Sequence, residues 1–172
     1  MNMAPGVRKF VLITHLAVSV GWIGAVAAYI ALGVSAVVSR DDQSVRAAWI
    51  AMELTGWFVI VPLAGAALLT GLVMSLGTQW GLFRHYWTLI TLLLAVFTTV
   101  ILVLHMPTVS GVADAARQAG SGDLGGHGGD LFHAVGGLLV LLVIMALNVY
   151  KPRGMTPYGF RKRRAQQETS QR

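Results

Sequence analysis

Histidines are the side chains of this chain with the clearest capacity for chemistry. A neutral imidazole can ligate a metal ion or a haem iron, and its protonation changes close to neutral pH. The sequence contains five histidines and no cysteine. Thiolate metal sites, disulfides and cysteine nucleophiles are therefore excluded, and any metal ion would have to be held by histidine, methionine or carboxylate groups.

Four of the histidines fall within, or at the ends of, long apolar runs, and they form two pairs by depth. His15 and His85 lie near the starts of the first and third runs, whereas His105 and His133 lie at the end of the third run and near the start of the fourth. Twenty helical residues rise about 30 Å, so His85 and His105 cannot share one site. Ionisable residues within membrane spans usually mark function. We therefore predict two separate sites, an inner one and an outer one, with His127 in a glycine-rich loop as a reserve ligand.

The elements that must position these residues are four apolar runs. The chain has 172 residues, 55% hydrophobic and 12% charged, whereas soluble domains have roughly 25% charged residues. The runs cover about 10–38, 47–76, 80–106 and 130–150, each long enough to cross a bilayer as a helix. Short connections make neighbouring helices antiparallel. The sequence predicts an all-α integral membrane four-helix bundle, up-down-up-down, over residues 1–150.

Three details of this bundle follow from local signals. Pro62 lies inside the second run, where a proline usually kinks a helix. Pro107 is expected to end the third run, and residues 108–129 to form a polar loop with at most a short surface helix. The basic segment 151–172 is expected to be a cytoplasmic tail that is disordered or adheres to the membrane.

The distribution of positive charge predicts the orientation of the bundle. The net charge is +6, and ten of the thirteen Lys and Arg residues lie in the N-terminal segment, the second connection and the C-terminal tail. The positive-inside rule then places both termini in the cytoplasm, with a bacterial cytoplasmic membrane as the expected location. We interpret the charge as topology and attraction to anionic lipid rather than as nucleic-acid binding.

Two histidines facing each other across a bundle can ligate a haem iron axially. We therefore expect two b-type haems, the inner one held by His15 and His85 and the outer one by His105 and His133. Small residues beside the ligands would leave room for a flat macrocycle, although small residues also allow membrane helices to pack closely. The expected lining residues are Gly21, Trp22, Gly24, Arg84, Gly136 and Gly137. Arg84 could meet a haem propionate or only satisfy the positive-inside rule.

A metal pathway is the competing interpretation of the outer histidines. Glu53 is the only carboxylate that we place within a span, which makes it a candidate proton carrier or partner of the outer pair. Met106 adjoins His105, and thioether with imidazole can hold copper. Copper passage along His105, Met106 and Glu53 is the alternative function, and a structural or regulatory membrane subunit is the third.

Short motifs in the first and third runs resemble a group of small bacterial membrane proteins. His15, Trp22 and Gly24 after Arg8-Lys9 resemble the opening helix of the CopD and HemJ group, and the segment 84–87, Arg-His-Tyr-Trp, is similar too. The resemblance implies haem binding linked to protoporphyrinogen oxidation for HemJ-like proteins, or copper uptake and resistance for CopD-like ones. No lysine lies in any span here, which departs from HemJ.

The layout of the four histidines also resembles the four-helix dihaem cytochromes b. That resemblance implies electron transfer between a quinone and a second redox partner, and thus an oxidoreductase that uses haem b. A homodimer is one arrangement such a bundle allows. The leading expectation is a membrane cytochrome b that carries electrons between two bis-histidine haems.

Overall fold

The computed structural model describes residues 3–77, 82–118, 128–152 and 154–170. These residues form five helices: α1 (Pro5–Val38), α2 (Asp42–Gly77), α3 (Tyr86–Gln118), α4 (Gly128–Tyr150) and α5 (Pro157–Ser170). Four of them are long and apolar enough to cross a membrane. The prediction of an all-α membrane four-helix bundle is confirmed.

Contacts between helix ends show that neighbouring helices are antiparallel. The backbone N–H of Met3 donates to the carbonyl of Gly77 over 3.5 Å, so the start of α1 meets the end of α2. At the opposite end, the Tyr29 hydroxyl of α1 donates to Asp130 near the start of α4. We call the side where α1 begins and α4 ends the terminal face, and the opposite side the far face.

The core runs along the axis of the bundle and includes large side chains from α1, α2 and α3. Trp22 and Tyr29 of α1, Met52 of α2, and Met106 and Val109 of α3 are almost fully buried. Many large apolar side chains instead lie on the outside of the helices, where they would meet lipid. The helices therefore pack through a narrow central stripe.

A π-helical turn at Gly56–Ile60 interrupts α2 immediately before Pro62. The N–H of Val61 donates to the carbonyl of Gly56, five residues back. Gly56 allows a close approach here, because a Cβ atom would lie 2.5 Å from Cε of Met106 and 2.6 Å from its Sδ and would force that side chain to move. The irregularity expected from Pro62 thus takes the form of a π turn one residue upstream, with α3 closely packed against it.

Helix α3 continues past Pro107, where we expected it to end. A proline removes one backbone hydrogen bond but does not prevent a helix from continuing when burial favours it. Val109, Ala113 and Ala116 are buried in the segment after Pro107, which packs against α2. The predicted polar loop is therefore helical up to Gln118. Residues 119–127, including His127, lie outside the described residues.

The segment after α4 also differs from the expectation of a disordered tail. The chain reverses at Lys151, whose φ of 44° lies in the left-handed region, and it then forms α5. An antiparallel bridge between His85 and Met155 joins this segment to the turn before α3. These backbone contacts with residues 83–86 account for its order.

Candidate functional site

A hydrogen-bonded chain of three side chains lies near the far face. Nε2 of His105 on α3 is 2.6 Å from Oδ1 of Asp130 on α4, and the Tyr29 hydroxyl on α1 donates to Oδ2 over 2.9 Å. Only 8% of Asp130 is exposed. It lies in the first turn of α4, where the helix dipole favours a negative charge. One buried carboxylate therefore joins three helices.

His133 stands beside this chain, one helical turn after Asp130. Its ring stacks on the ring of His105 with centroids 4.5 Å apart and planes inclined by 20°. Because positions three apart share one face of a helix, Asp130 and His133 both reach His105. The structure thus brings the two outer histidines together.

An apolar cleft of about 290 Å³ extends from these polar groups toward the middle of the bundle. Trp22 and Val26 of α1 and Met106 of α3 form its buried part. Phe97, which also lines it, is 59% exposed on the outer surface of α3. The other lining side chains are Tyr29, Ile60, Thr98, Ile101, Leu102, His105, Asp130, His133, Ala134, Gly136, Gly137, Val140 and Leu141. Since exposed residues of α3 and α4 belong to its wall, the cleft opens sideways toward lipid.

The glycines predicted to line a site fall into two groups. Gly136 and Gly137 line the cleft, and a Cβ atom at either position would meet nothing within 4 Å. Gly21 instead packs on Leu63 of α2, at 3.6 Å, and Gly24 faces open space. Trp22 is the predicted α1 residue that does line the cleft.

His15 lies half-buried toward the terminal face and contacts α2. Its Nδ1 is 2.9 Å from the Thr70 hydroxyl, and that hydroxyl donates its own proton to the carbonyl of Ala66. With its proton on the Ala66 carbonyl, Thr70 accepts from Nδ1–H, and in that tautomer the lone pair of neutral His15 lies on Nε2. A metal-binding histidine is commonly held in this way by its other ring nitrogen.

His85 and Arg84 lie in the turn that precedes α3. The His85 ring is 6.3 Å from the ring of Trp87, and its backbone pairs with Met155. The Arg84 carbonyl accepts a hydrogen bond from the backbone of Thr156. The contacts described for His15 and for His85 therefore lead to different partners, and the pairing of these two histidines stays a prediction.

Glu53 belongs to a separate polar cluster at the far face. It pairs with Arg117 of α3, which also contacts Asp114 over 2.7 Å. This ion pair joins α2 to the part of α3 beyond Pro107. The described partner of Glu53 is thus Arg117. This contact does not support a role of Glu53 as a partner of the outer histidines.

The arrangement of His105 and His133 tests whether a bis-histidine haem fits. Axial ligation from both sides would place the macrocycle between the two imidazoles. Rings in direct stacking contact leave no such space, and His105 Nε2 already faces Asp130. The outer bis-histidine haem does not fit this arrangement. Within the described ranges, no three His, Asp or Glu side chains are grouped so that they could hold a metal ion.

Sequence reasoning missed Tyr29 and Asp130. Hydropathy places Glu53 as the only carboxylate within a span, because Asp130 lies at the edge of the fourth run. The spacing of Asp130 and His133, one turn apart at the start of an apolar helix, was the available signal. Nothing in the sequence indicates a polar role for Tyr29, since a tyrosine in an apolar run commonly packs in the hydrophobic core.

Comparisons with known proteins add no family to these observations. No protein-family model, no curated protein and no solved structure matches this chain.

Proposed function

We propose that this protein is a membrane redox protein that binds a lipid-soluble quinone in the cleft near the far face. The observation that carries the proposal is the chain Tyr29–Asp130–His105 at the polar end of an apolar cleft open to lipid. Such a site suits a ligand with an apolar body and a polar ring substituent, which reaches the protein through the bilayer. The cleft volume of about 290 Å³ favours a single-ring headgroup over a four-ring porphyrin.

The polar groups have the chemistry that quinone reduction requires. Reduction of a quinone to a quinol takes up two electrons and two protons. When His105 carries both ring protons, it keeps Nε2–H on Asp130 and can donate Nδ1–H to a quinone carbonyl. Asp130 compensates the positive charge of the imidazolium, and Tyr29 holds the carboxylate in place. The two electrons would come one at a time from a one-electron redox partner, and His105 would supply both protons in turn, regaining a proton from the far face after each transfer.

A b-type haem ligated by His15 is the second candidate. The hydrogen bond from Nδ1 to Thr70, which leaves the lone pair on Nε2, favours it. When bound, a haem supplies reversible one-electron transfer, and it could therefore serve as the electron source for the quinone. The resemblance of the first helix to haem-binding membrane proteins agrees with this assignment.

Quinone binding can be measured by quenching of tryptophan fluorescence. The purified full chain in lipid nanodiscs is titrated with a short-chain ubiquinone analogue. We expect saturable quenching that Trp22→Phe largely removes, because Trp22 lines the cleft. Asp130→Asn and His105→Gln should weaken binding by about tenfold, which corresponds to about 1.4 kcal/mol. Asp114→Asn, at a carboxylate that is 61% exposed and does not line the cleft, is the matched control and should bind normally. Equal affinity in wild type and Asp130→Asn would refute the proposal.

A reduced-minus-oxidised absorbance spectrum tests the haem. Protein purified from haem-replete cells should show b-type bands that His15→Ala loses and His105→Ala keeps. Thr70→Val should lower the haem content, because it removes the acceptor of Nδ1–H. A colourless wild-type protein would exclude the haem and leave the quinone proposal standing. Haem that depends on His105 and not on His15 would contradict the assignment of both sites.

A further inference from the structure

The segment that follows α4 is held firmly against the terminal face of the bundle. Thr156 donates its backbone N–H to the Arg84 carbonyl over 3.0 Å, and its hydroxyl also contacts the Phe83 carbonyl. Tyr86 N–H donates to the Gly154 carbonyl over 3.3 Å. These contacts join residues 154–156 to the turn before α3. Helix α5 therefore starts from a fixed position.

The first turn of α5 packs closely on the same turn. The Thr156 hydroxyl accepts from the N–H of Gly159 over 3.1 Å, which caps the helix, and Pro157 occupies the first helical position. A Cβ atom on Gly159 would lie 2.5 Å from the Arg84 carbonyl oxygen. Because that oxygen belongs to the backbone, only glycine allows this approach.

A run of four basic residues follows directly. Residues 161–164 read Arg-Lys-Arg-Arg, and Glu168 is the only acidic residue in α5. Arg161, Arg163 and Arg164 are exposed, and none of these three forms an ion pair with another described residue. Tyr158 and Phe160 are exposed beside them. The docked turn thus presents uncompensated positive charge and two aromatic rings close to the ends of the spans.

We propose that α5 is a docked platform that binds the headgroups of anionic lipids. Guanidinium groups bind phosphate oxygens with paired hydrogen bonds, and exposed aromatic rings favour the headgroup level of a bilayer. The anchoring through Thr156 and Gly159 holds the arginines at the membrane surface. A free tail would carry the same charges without that placement.

The experiment counts lipids that the full chain retains. The protein is purified in neutral detergent with equal amounts of phosphatidylglycerol and phosphatidylcholine, and the bound lipids are counted by native mass spectrometry. We expect the wild type to prefer phosphatidylglycerol. The triple variant R161Q/R163Q/R164Q should lose about fivefold or more of that preference. The charge-retaining variant R161K/R163K/R164K is the control and should keep most of it.

Gly159→Ala separates docking from charge. It should lower the preference for phosphatidylglycerol although every charge is retained, because its Cβ atom clashes with the Arg84 backbone. Full preference in this variant would show that docking is not needed and would overturn the platform. Unchanged preference for phosphatidylglycerol in the glutamine triple variant would overturn the proposal as a whole. The proposal would also fail if the wild-type protein bound a short RNA duplex more strongly than phosphatidylglycerol at physiological salt. Failure of either kind leaves the quinone site untouched.

Discussion

Asp130 is the residue on which the arrangement of the far-face site depends. A buried carboxylate is unfavourable unless hydrogen bonds and charges compensate it, and here His105 and Tyr29 supply two hydrogen bonds while the start of α4 supplies a favourable dipole. Removal of any one of Tyr29, Asp130 and His105 leaves a buried hydrogen-bonding group of its neighbour in this chain without a partner. The three residues should therefore behave as a unit.

Tyr29→Phe tests this coupling with the smallest possible change. It deletes the hydroxyl that donates to a charged acceptor, so the free energy of unfolding should fall by about 1.5–3 kcal/mol. Tyr86→Phe, at a tyrosine that is 50% exposed, is the matched control and should have little effect. In a double-mutant cycle with Asp130→Asn, measured by unfolding in mixed detergent micelles, the two changes should cost less together than the sum of their separate costs. Simple additivity would mean that Tyr29 and Asp130 do not interact.

Sequence patterns predicted part of this site. The positions of His105 and His133 along their helices were enough to predict that both lie at the same end of the bundle. This prediction requires only the boundaries and the direction of each span. The identity of the polar partner was not predictable in the same way. Asp130 lies where hydropathy changes, and a charged residue at the edge of an apolar run is usually assigned to the loop. Only the contact of three helices shows that it is buried.

At the scale of the helices, rules about proline were outweighed by packing. Local rules predict a kink at Pro62 and a helix end at Pro107, yet α2 has a π turn before the first proline and α3 continues through the second. In each case a buried contact with the other helix is gained: Met106 fits over Gly56, and Val109 and Ala113 follow Pro107 into the core. Such contacts depend on the partner helix, so no local sequence rule could predict them.

Gly56→Ala should show how tightly the π turn fits. The new methyl group would overlap Sδ and Cε of Met106, so this buried side chain must move aside, and we expect a loss of about 1 kcal/mol in unfolding free energy. Gly65→Ala in the same helix is the control, since a Cβ atom there meets nothing within 4 Å, and it should be neutral or stabilising by up to about 1 kcal/mol. Met106 lines the cleft and directly follows His105. A shift of Met106 in Gly56→Ala should therefore also weaken quinone binding. Equal stability of the two variants would contradict the close packing.

For the whole molecule, composition was sufficient to predict the architecture. Long apolar runs with few charges have no stable alternative to helices in a bilayer, so four runs gave four spans. The same reasoning did not extend to the C-terminal segment. Its basic composition suggested disorder, but backbone contacts of residues 154–156 and the close approach of Gly159 hold it on the bundle.

The orientation in the membrane remains a prediction from charge, and the absence of cysteine makes it directly testable. Gln43→Cys and Gln167→Cys each introduce one exposed thiol, the first at the far face and the second at the terminal face. With a membrane-impermeant maleimide, Gln43→Cys should be labelled in intact cells and Gln167→Cys only after permeabilisation. The opposite pattern would reverse the orientation while leaving the bundle unchanged. The expected pattern places the His105–Asp130–Tyr29 chain near the outer surface, so quinol formed in the cleft would take its protons from the outside. It also places the arginines of α5 at the inner leaflet, where anionic lipids attract cytoplasmic basic segments.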